Sequence, residues 1–222
     1  MSKKTVLLMS GGMDSLAITA MAHESGDELH ALFFNYGQKT LKKELEAFEK
    51  CSAFYKISKE KQKIVDLSVL KSIGGSSLTD EDIDVSVELD KKEIPQTYVP
   101  FRNSIFLSVA VSYAEVIKAD RILIGAVLED APGYPDCRPE YYDSFNELIK
   151  KGSSYYVPIE TPLILMKKSE ILQKCLKLKA PLNLSWSCYQ SIDRPCMRCD
   201  SCLLRQKAFE TIGEDDPLLS HE

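Results

Sequence analysis

No stretch of this sequence stays apolar for the ~20 residues that a helix needs to cross a bilayer, so a membrane-spanning protein is not expected. Basic residues never run longer than a pair such as Lys42–Lys43 or Lys167–Lys168, and the formal net charge is -5. A polycationic face for nucleic acid is therefore not expected, and a small-molecule substrate is the default. An apolar strand-like run begins by Thr5, which leaves no room ahead of it for a signal peptide and points to a cytoplasmic protein. Internal repeats and low-complexity linkers are also lacking. What is present, 222 residues with 44% hydrophobic and 27% charged, suits one globular α/β unit with a small appendage.

Cysteine is where the chain departs from the ordinary. Of seven, four fall at 188, 196, 199 and 202, with the spacing C-x7-C-x2-C-x2-C. Such clustering in a cytosolic chain points to metal rather than disulfides. Each C-x2-C puts two thiolates on one tight turn, and Cys188 supplies a fourth. Four thiolates with no open position describe structural Zn2+ better than catalytic zinc; an iron–sulfur cluster uses the same donors and stays the alternative. A zinc site contributes ~10–16 kcal/mol of apparent binding energy to folding, enough to pin a helix over Leu203–Thr211 onto the body. The expected organisation is an α/β domain over residues 1–180 carrying a metal-binding segment over 181–222. Cys51 and Cys175 lie on apolar helical faces and read as core.

Taken in order, Thr5–Met9 reads as a buried strand, Ser15–Ser25 as a helix and Glu28–Asn35 as a second strand. Lys39–Tyr55 has helical periodicity and Lys63–Leu67 reads as a third strand. This alternation predicts a doubly wound, mainly parallel sheet with helices on both faces. Ligands in such sheets sit beyond the carboxyl ends of the strands. Ser72–Pro100, with acidic residues from Asp80 to Asp90, reads as a solvated loop or lid. Arg102–Lys118 is apolar or small on nearly every face and is expected to be a buried helix, its Arg102 exposed at a mouth or held by an anion. Arg121–Val127 is the next strand, with Gly125 allowing close ligand approach, and the loop Glu129–Arg138 is a candidate for chemistry. Tyr141–Lys151 reads as a helix, Tyr155–Glu160 as a strand, and Ile171–Leu178 as the apolar face of another helix.

Between the first strand and first helix lies Ser10-Gly11-Gly12-Met13-Asp14-Ser15. A strand that breaks at Gly-Gly and restarts as a helix offers bare backbone N–H groups to phosphate. It is not a kinase-type P-loop, because no Lys ends it. Met9 through Ser15, with Tyr36 and Gly125, are the candidate nucleotide-binding residues.

This loop resembles the SGGxDS loop of the N-type ATP pyrophosphatases. Further segments, in order over nearly the whole chain, resemble the 7-cyano-7-deazaguanine synthase family: Phe34-Asn35-Tyr36-Gly37-Gln38, Pro95 to Asn103, Gly133-Tyr134-Pro135-Asp136-Cys137-Arg138, Glu160-Thr161-Pro162-Leu163 and the cysteine segment Trp186 to Arg205. The resemblance implies a Rossmann-like fold of the adenine nucleotide alpha-hydrolase kind. It also implies a ligase that uses ATP and Mg2+ to turn 7-carboxy-7-deazaguanine and ammonia into the nitrile, an intermediate in making queuosine, and a homodimer. On this resemblance Ser10, Asp14, Ser15, Arg102, Asp136 and Arg138 are the catalytic candidates, with Asp136 and Arg138 on the substrate side. Three positions depart from the family: Asn35 where Asp is usual, Phe101 where Gly precedes Arg-Asn, and Ala131-Pro132 where a polar residue is usual. Phe101 is expected to narrow or reshape the pocket. Two alternatives follow, a related adenylating ligase that passes its carboxylate to another amine, including one on a protein, and a nucleotide-binding paralogue without turnover.

Overall fold

Five strands form one sheet in the order β3-β2-β1-β4-β5, every neighbouring pair parallel, in a computed structural model that describes residues 2–85, 94–128 and 134–219. The strands are β1 (Lys4–Leu8), β2 (Glu28–Asn35), β3 (Gln62–Asp66), β4 (Arg121–Ile124) and β5 (Ile159–Glu160). The helices are α1 (Met13–Glu24), α2 (Leu41–Phe54), α3 (Val69–Ile73), α4 (Arg102–Ile117), α5 (Pro139–Gly152), α6 (Lys168–Lys177) and α7 (Asp200–Ile212). Central β1 pairs on both sides, Val6 standing opposite His30 of β2 and Ile122 of β4. Its unbroken apolar run follows from burial on both faces. Leu7 and Met9 pack with Phe33, Phe48 and Ile171 under α1, α2 and α6, while Val6 and Leu8 pack with Leu107, Ile122 and Tyr142 under α4 and α5.

The doubly wound expectation is borne out, with local differences. Helix α4 is buried along one side only, through Asn103, Leu107, Ala110, Val111 and Ala114, whereas Val116 is 78% exposed. It is an outer layer on the sheet, so its outward apolar residues have no covering element among the described residues. Strand β5 shrinks to two residues, which pair with Ile122 and Leu123 in the middle of β4. The predicted Ser72–Pro100 loop is partly built in: Ser76, Ser77 and Thr79 are fully buried, and Leu78 packs with Tyr36, Leu70 and Val99. Glu88 and Asp90 of its acidic part lie outside the described residues, as do Ala131 and Pro132. No helix of the described residues is long and apolar enough to cross a membrane.

At the start of β4, Arg121 ties three elements together. Its guanidinium donates to Asp27 Oδ2 (2.8 Å), Glu160 Oε2 (2.9 Å) and Thr5 Oγ1 (3.1 Å). Burial alone would raise the Asp27 carboxyl, but the Thr5 hydroxyl and Arg121 outweigh it and hold the pKa below 3.8. The resulting stability is present above that ordinary carboxylate value and is lost as pH falls through the lower folded pKa. Arg121→Met leaves the Asp27 side chain, 3% exposed, without its cation. A loss of about 3–5 kcal/mol is expected in urea unfolding at neutral pH, with part of it regained in the Arg121→Met/Asp27→Asn double variant. A single variant as stable as the parent would show the pair to be incidental.

Candidate functional site

A cavity of about 250 Å³ opens at the carboxyl ends of β1, β2 and β4, where the strand order turns from β2 on one side of β1 to β4 on the other. Leu8, Leu32, Phe34 and Ile124 form its floor, and Met9 to Ser15, except Gly11, form one side. Tyr36, Glu44, Arg102, Tyr134 and Asp136 face that side, and Trp186, Ser187 and Tyr189 add a further wall.

The glycine loop is shaped by crowding. Gly11 has φ +83°, and a Cβ there would lie 2.8 Å from Ala47 Cβ and 2.9 Å from the Glu44 carbonyl oxygen. Its bareness lets α2 press against the loop, and Gly11 lies behind the cavity wall. Gly12 caps α1 without a side-chain hydrogen bond, so the first-turn N–H groups stand at the cavity in an arrangement that suits an anion. Ser10 Oγ accepts the Gly12 N–H (3.3 Å), and the Ser15 hydroxyl donates to the Gly12 carbonyl (2.9 Å), so both serines order the loop from within. Gly125 lines the cavity, yet the space of its missing Cβ is taken by the Asp14 backbone, 2.8 Å away. The close approach it permits is that of α1 to β4.

Asp14 points to a residue that sequence reasoning missed. Lys168, the first residue of α6 and only 8% exposed, sets its ammonium 2.9 Å from both Asp14 carboxylate oxygens. In the sequence it is half of an ordinary lysine pair, and no spacing singles it out.

Arg102 begins α4 and donates from Nη1 to the Tyr36 hydroxyl (3.2 Å), its guanidinium 5.0 Å above the Tyr36 ring. Its Nε is buried without a partner among the described residues, an unusual state for a buried donor. Burial pushes the Asp136 carboxyl above its usual pKa, and nearby Arg102 pulls it back. Tyr134, whose hydroxyl meets that of Thr97, is pushed up to about 12 by burial. Arg138 is exposed at the start of α5 and is not part of the wall, so Asp136 shares the cavity with Arg102 instead.

Two of the three family departures are placed, Ala131-Pro132 lying outside the described residues. Asn35 lies outside the wall and shapes the following turn, its Oδ1 accepting the Gly37 N–H (3.1 Å). Phe101 does not narrow the cavity: it is 66% exposed, outside the lining, and held at φ +57°. A left-handed backbone is what glycine adopts freely, which explains why glycine suits this position better than a narrowing role would.

Beyond the wall, the sulfurs of Cys188, Cys196, Cys199 and Cys202 all lie within 4.8 Å of one another. Cys196 and Cys202 are 3.9 Å apart, against an edge of ~3.8 Å for a tetrahedron with metal–sulfur bonds near 2.3 Å. Neighbouring thiols of Cys199 and Cys202, with the N–H groups of Cys196 and Gln190, hold the Cys188 thiol far below its usual pKa. The donor set therefore fits a metal ion with no position left open. Trp186 links the cluster to the loop, its backbone N–H donating to the Gly11 carbonyl (2.9 Å) and its indole N–H to the Cys188 carbonyl (3.2 Å).

Residues 4–213 match the family model described as Queuosine biosynthesis protein QueC. Over 218 residues the chain is 52% identical to a 7-cyano-7-deazaguanine synthase of Chlorobaculum tepidum, covering 97% of this chain and 95% of the relative. It is likewise 52% identical over 218 residues to one of Chlorobaculum parvum, with the same 97% and 95% coverage. Among solved structures, the NH3-dependent NAD synthetase of Campylobacter jejuni aligns with a TM-score of 0.49 at 19% identity, covering 83% of this chain and 67% of that one.

Cys199→Ser is expected to abolish stoichiometric metal in elemental analysis and to shift the emission of Trp186, the chain's single tryptophan. A metal-free variant with the parent's emission and melting curve would sink the structural role. Phe101→Gly relieves the left-handed strain and is expected to raise Tm by about 2–4 °C, since about 1 kcal/mol is recovered. An unchanged or lower Tm means that contacts of the ring outweigh the strain.

Proposed function

The chain belongs to the QueC family of queuosine biosynthesis proteins, and from that premise we propose that it is an ATP-dependent ligase converting 7-carboxy-7-deazaguanine and ammonia to 7-cyano-7-deazaguanine. The observation that carries this reading is the pairing, across one cavity, of an uncapped helix N-terminus with an arginine whose buried Nε lacks an acceptor. One end suits a phosphate chain and the other a planar ligand with an oxygen acceptor.

A carboxylate resists attack because its charge repels nucleophiles and oxide leaves poorly. Attack of the substrate carboxylate on the α-phosphorus of ATP forms an acyl adenylate and releases pyrophosphate. Ammonia then displaces AMP to give the amide. A second adenylation, on the amide oxygen, allows AMP to leave again as the nitrile forms. Such chemistry needs charge stabilisation and positioning more than a protein nucleophile.

In this reading the first-turn N–H groups of α1 hold the pyrophosphate, and Ser10 and Ser15 keep the loop in shape for it. Lys168 neutralises Asp14 and brings a cation next to the same helix end. Mg2+, when bound with ATP, offsets the charge of the phosphates. Arg102 takes an oxygen of the substrate through Nε, and Asp136 accepts from its N–H edge. Zn2+ in the cysteine cluster has a structural part, holding the wall that contains Trp186 and Tyr189.

Mass spectrometry of the protein incubated with ATP, Mg2+, 7-carboxy-7-deazaguanine and ammonia tests the reading. Nitrile with two AMP per product is the expected result. Amide with one AMP would identify the related ligase instead, and ADP in place of AMP would overturn adenylation itself.

A further inference from the structure

Among the described residues, three carboxylates line the cavity, those of Asp14, Glu44 and Asp136. Two are committed to cations. Asp14 has both oxygens on the Lys168 ammonium, and Asp136 stands in the field of Arg102 and accepts from the Asn103 backbone. Among the described residues Glu44 makes no hydrogen bond or ion pair with a cation, and the Arg102 charge acts on it less strongly than its two hydrogen bonds do. Its Oε1 accepts the Thr40 hydroxyl (2.6 Å) and its Oε2 the Gln38 amide (3.0 Å), both neutral donors.

The arrangement is rigid as well as neutral. Gln38 is held by donating to the Phe34 carbonyl (3.1 Å) and accepting the Tyr36 N–H (2.9 Å), so the end of β2 fixes the Glu44 carboxylate. Each oxygen accepts one hydrogen bond and keeps capacity for another. The Glu44 backbone packs on Gly11, and its side chain lines the cavity on the wall shared with Tyr36 and Arg102. A carboxylate built into a wall with spare lone pairs suits a ligand that arrives with N–H bonds and must lose a proton.

We propose that Glu44 is the catalytic base of amination, taking the proton that ammonia sheds when it attacks the adenylated carboxyl carbon. This rests on the reaction proposed above. The nitrogen lone pair forms the C–N bond, and the C–O bond to AMP breaks with its electron pair leaving on AMP. Ammonia brings three hydrogens and the amide keeps two; the third passes as a proton to a Glu44 carboxylate oxygen and then to water. Nitrile formation strips the remaining two protons from the same nitrogen, so the demand for a base in this wall recurs. Removal from water raises the Glu44 carboxyl above 4.5, while the Thr40 and Gln38 bonds and the Arg102 charge oppose the rise. A base moved toward neutrality accepts protons better at physiological pH.

The test separates amination from activation, with purified Glu44→Gln protein, ATP, Mg2+ and 7-carboxy-7-deazaguanine. Substrate-dependent ATP–pyrophosphate exchange, and trapping of the adenylate by hydroxylamine, are expected to change by less than about threefold. Ammonia-dependent amide formation is expected to fall by about 10²–10⁴-fold. Glu44→Asp, which keeps a carboxylate one methylene shorter, is expected to recover part of that rate, a ranking by charge that a packing role would not produce. Equal loss of exchange and amination, or no loss of either, overturns the assignment of Glu44. A parent protein that exchanges no pyrophosphate overturns the proposed reaction itself, whereas a parent that exchanges normally beside a fully aminating Glu44→Gln variant overturns only the base.

Discussion

The turn from β1 into α1 is packed so closely that nothing larger than hydrogen fits at two of its contacts. Ala47 of α2 leaves no room for a Cβ at Gly11, and the Asp14 backbone leaves none at Gly125, just past β4. These two bare positions let α1 begin directly over the central strand, at the point where the sheet changes direction. Everything in the cavity takes its place from there. The uncapped N–H groups face the cavity, Asp14 meets Lys168 from α6, and the Gly11 carbonyl meets Trp186.

Charge in the cavity is arranged in opposed pairs around that turn. Lys168 cancels Asp14 beside the phosphate end, and Arg102 faces Asp136 at the other. Stacking of the Arg102 guanidinium on Tyr36, with Phe106 nearby, holds a cation in an apolar setting without using up its donors. Its Nε has no acceptor among the described residues, and Glu44 is the lining carboxylate whose hydrogen bonds there come from neutral donors. A site organised in this way keeps little net charge of its own and leaves specific hydrogen-bonding capacity for what binds.

The cysteine cluster lies outside this electrostatic plan but sets one of its walls. Cys188 follows Trp186 by two residues, so the cluster and the Gly11 bond hold the same short segment from both ends. Arg205 completes the fastening. Its guanidinium reaches Asp216 (2.6 Å), Ser185 (2.8 Å) and the Leu182 carbonyl (3.1 Å), joining α7 to the strands of coil on either side. Loss of the metal should therefore reach the cavity through Trp186 and Tyr189 rather than through any bond to a substrate.

Local patterns along the chain were enough for the doubly wound sheet, the glycine loop and the four thiolates, because strand periodicity, a Gly-Gly break and C-x2-C spacing are all short-range signals. Arg102 and Asp136 come together through the resemblance to a family rather than through any local pattern, and both line the cavity. Tertiary structure alone decided the rest. Lys168 lies 154 residues from Asp14 in the chain and looks like any surface lysine until α6 packs beside α1. Glu44 sits in an amphipathic helix among other charged residues, and its place in the cavity wall, held by Thr40 and Gln38, exists only once α2 packs at the end of β2. Phe101 and Arg138 moved the other way, out of the pocket that their neighbours line, because backbone direction at a helix start determines where a side chain goes. Residue type and spacing specify which elements form; which side chains meet depends on distances that the chain defines only once it is folded.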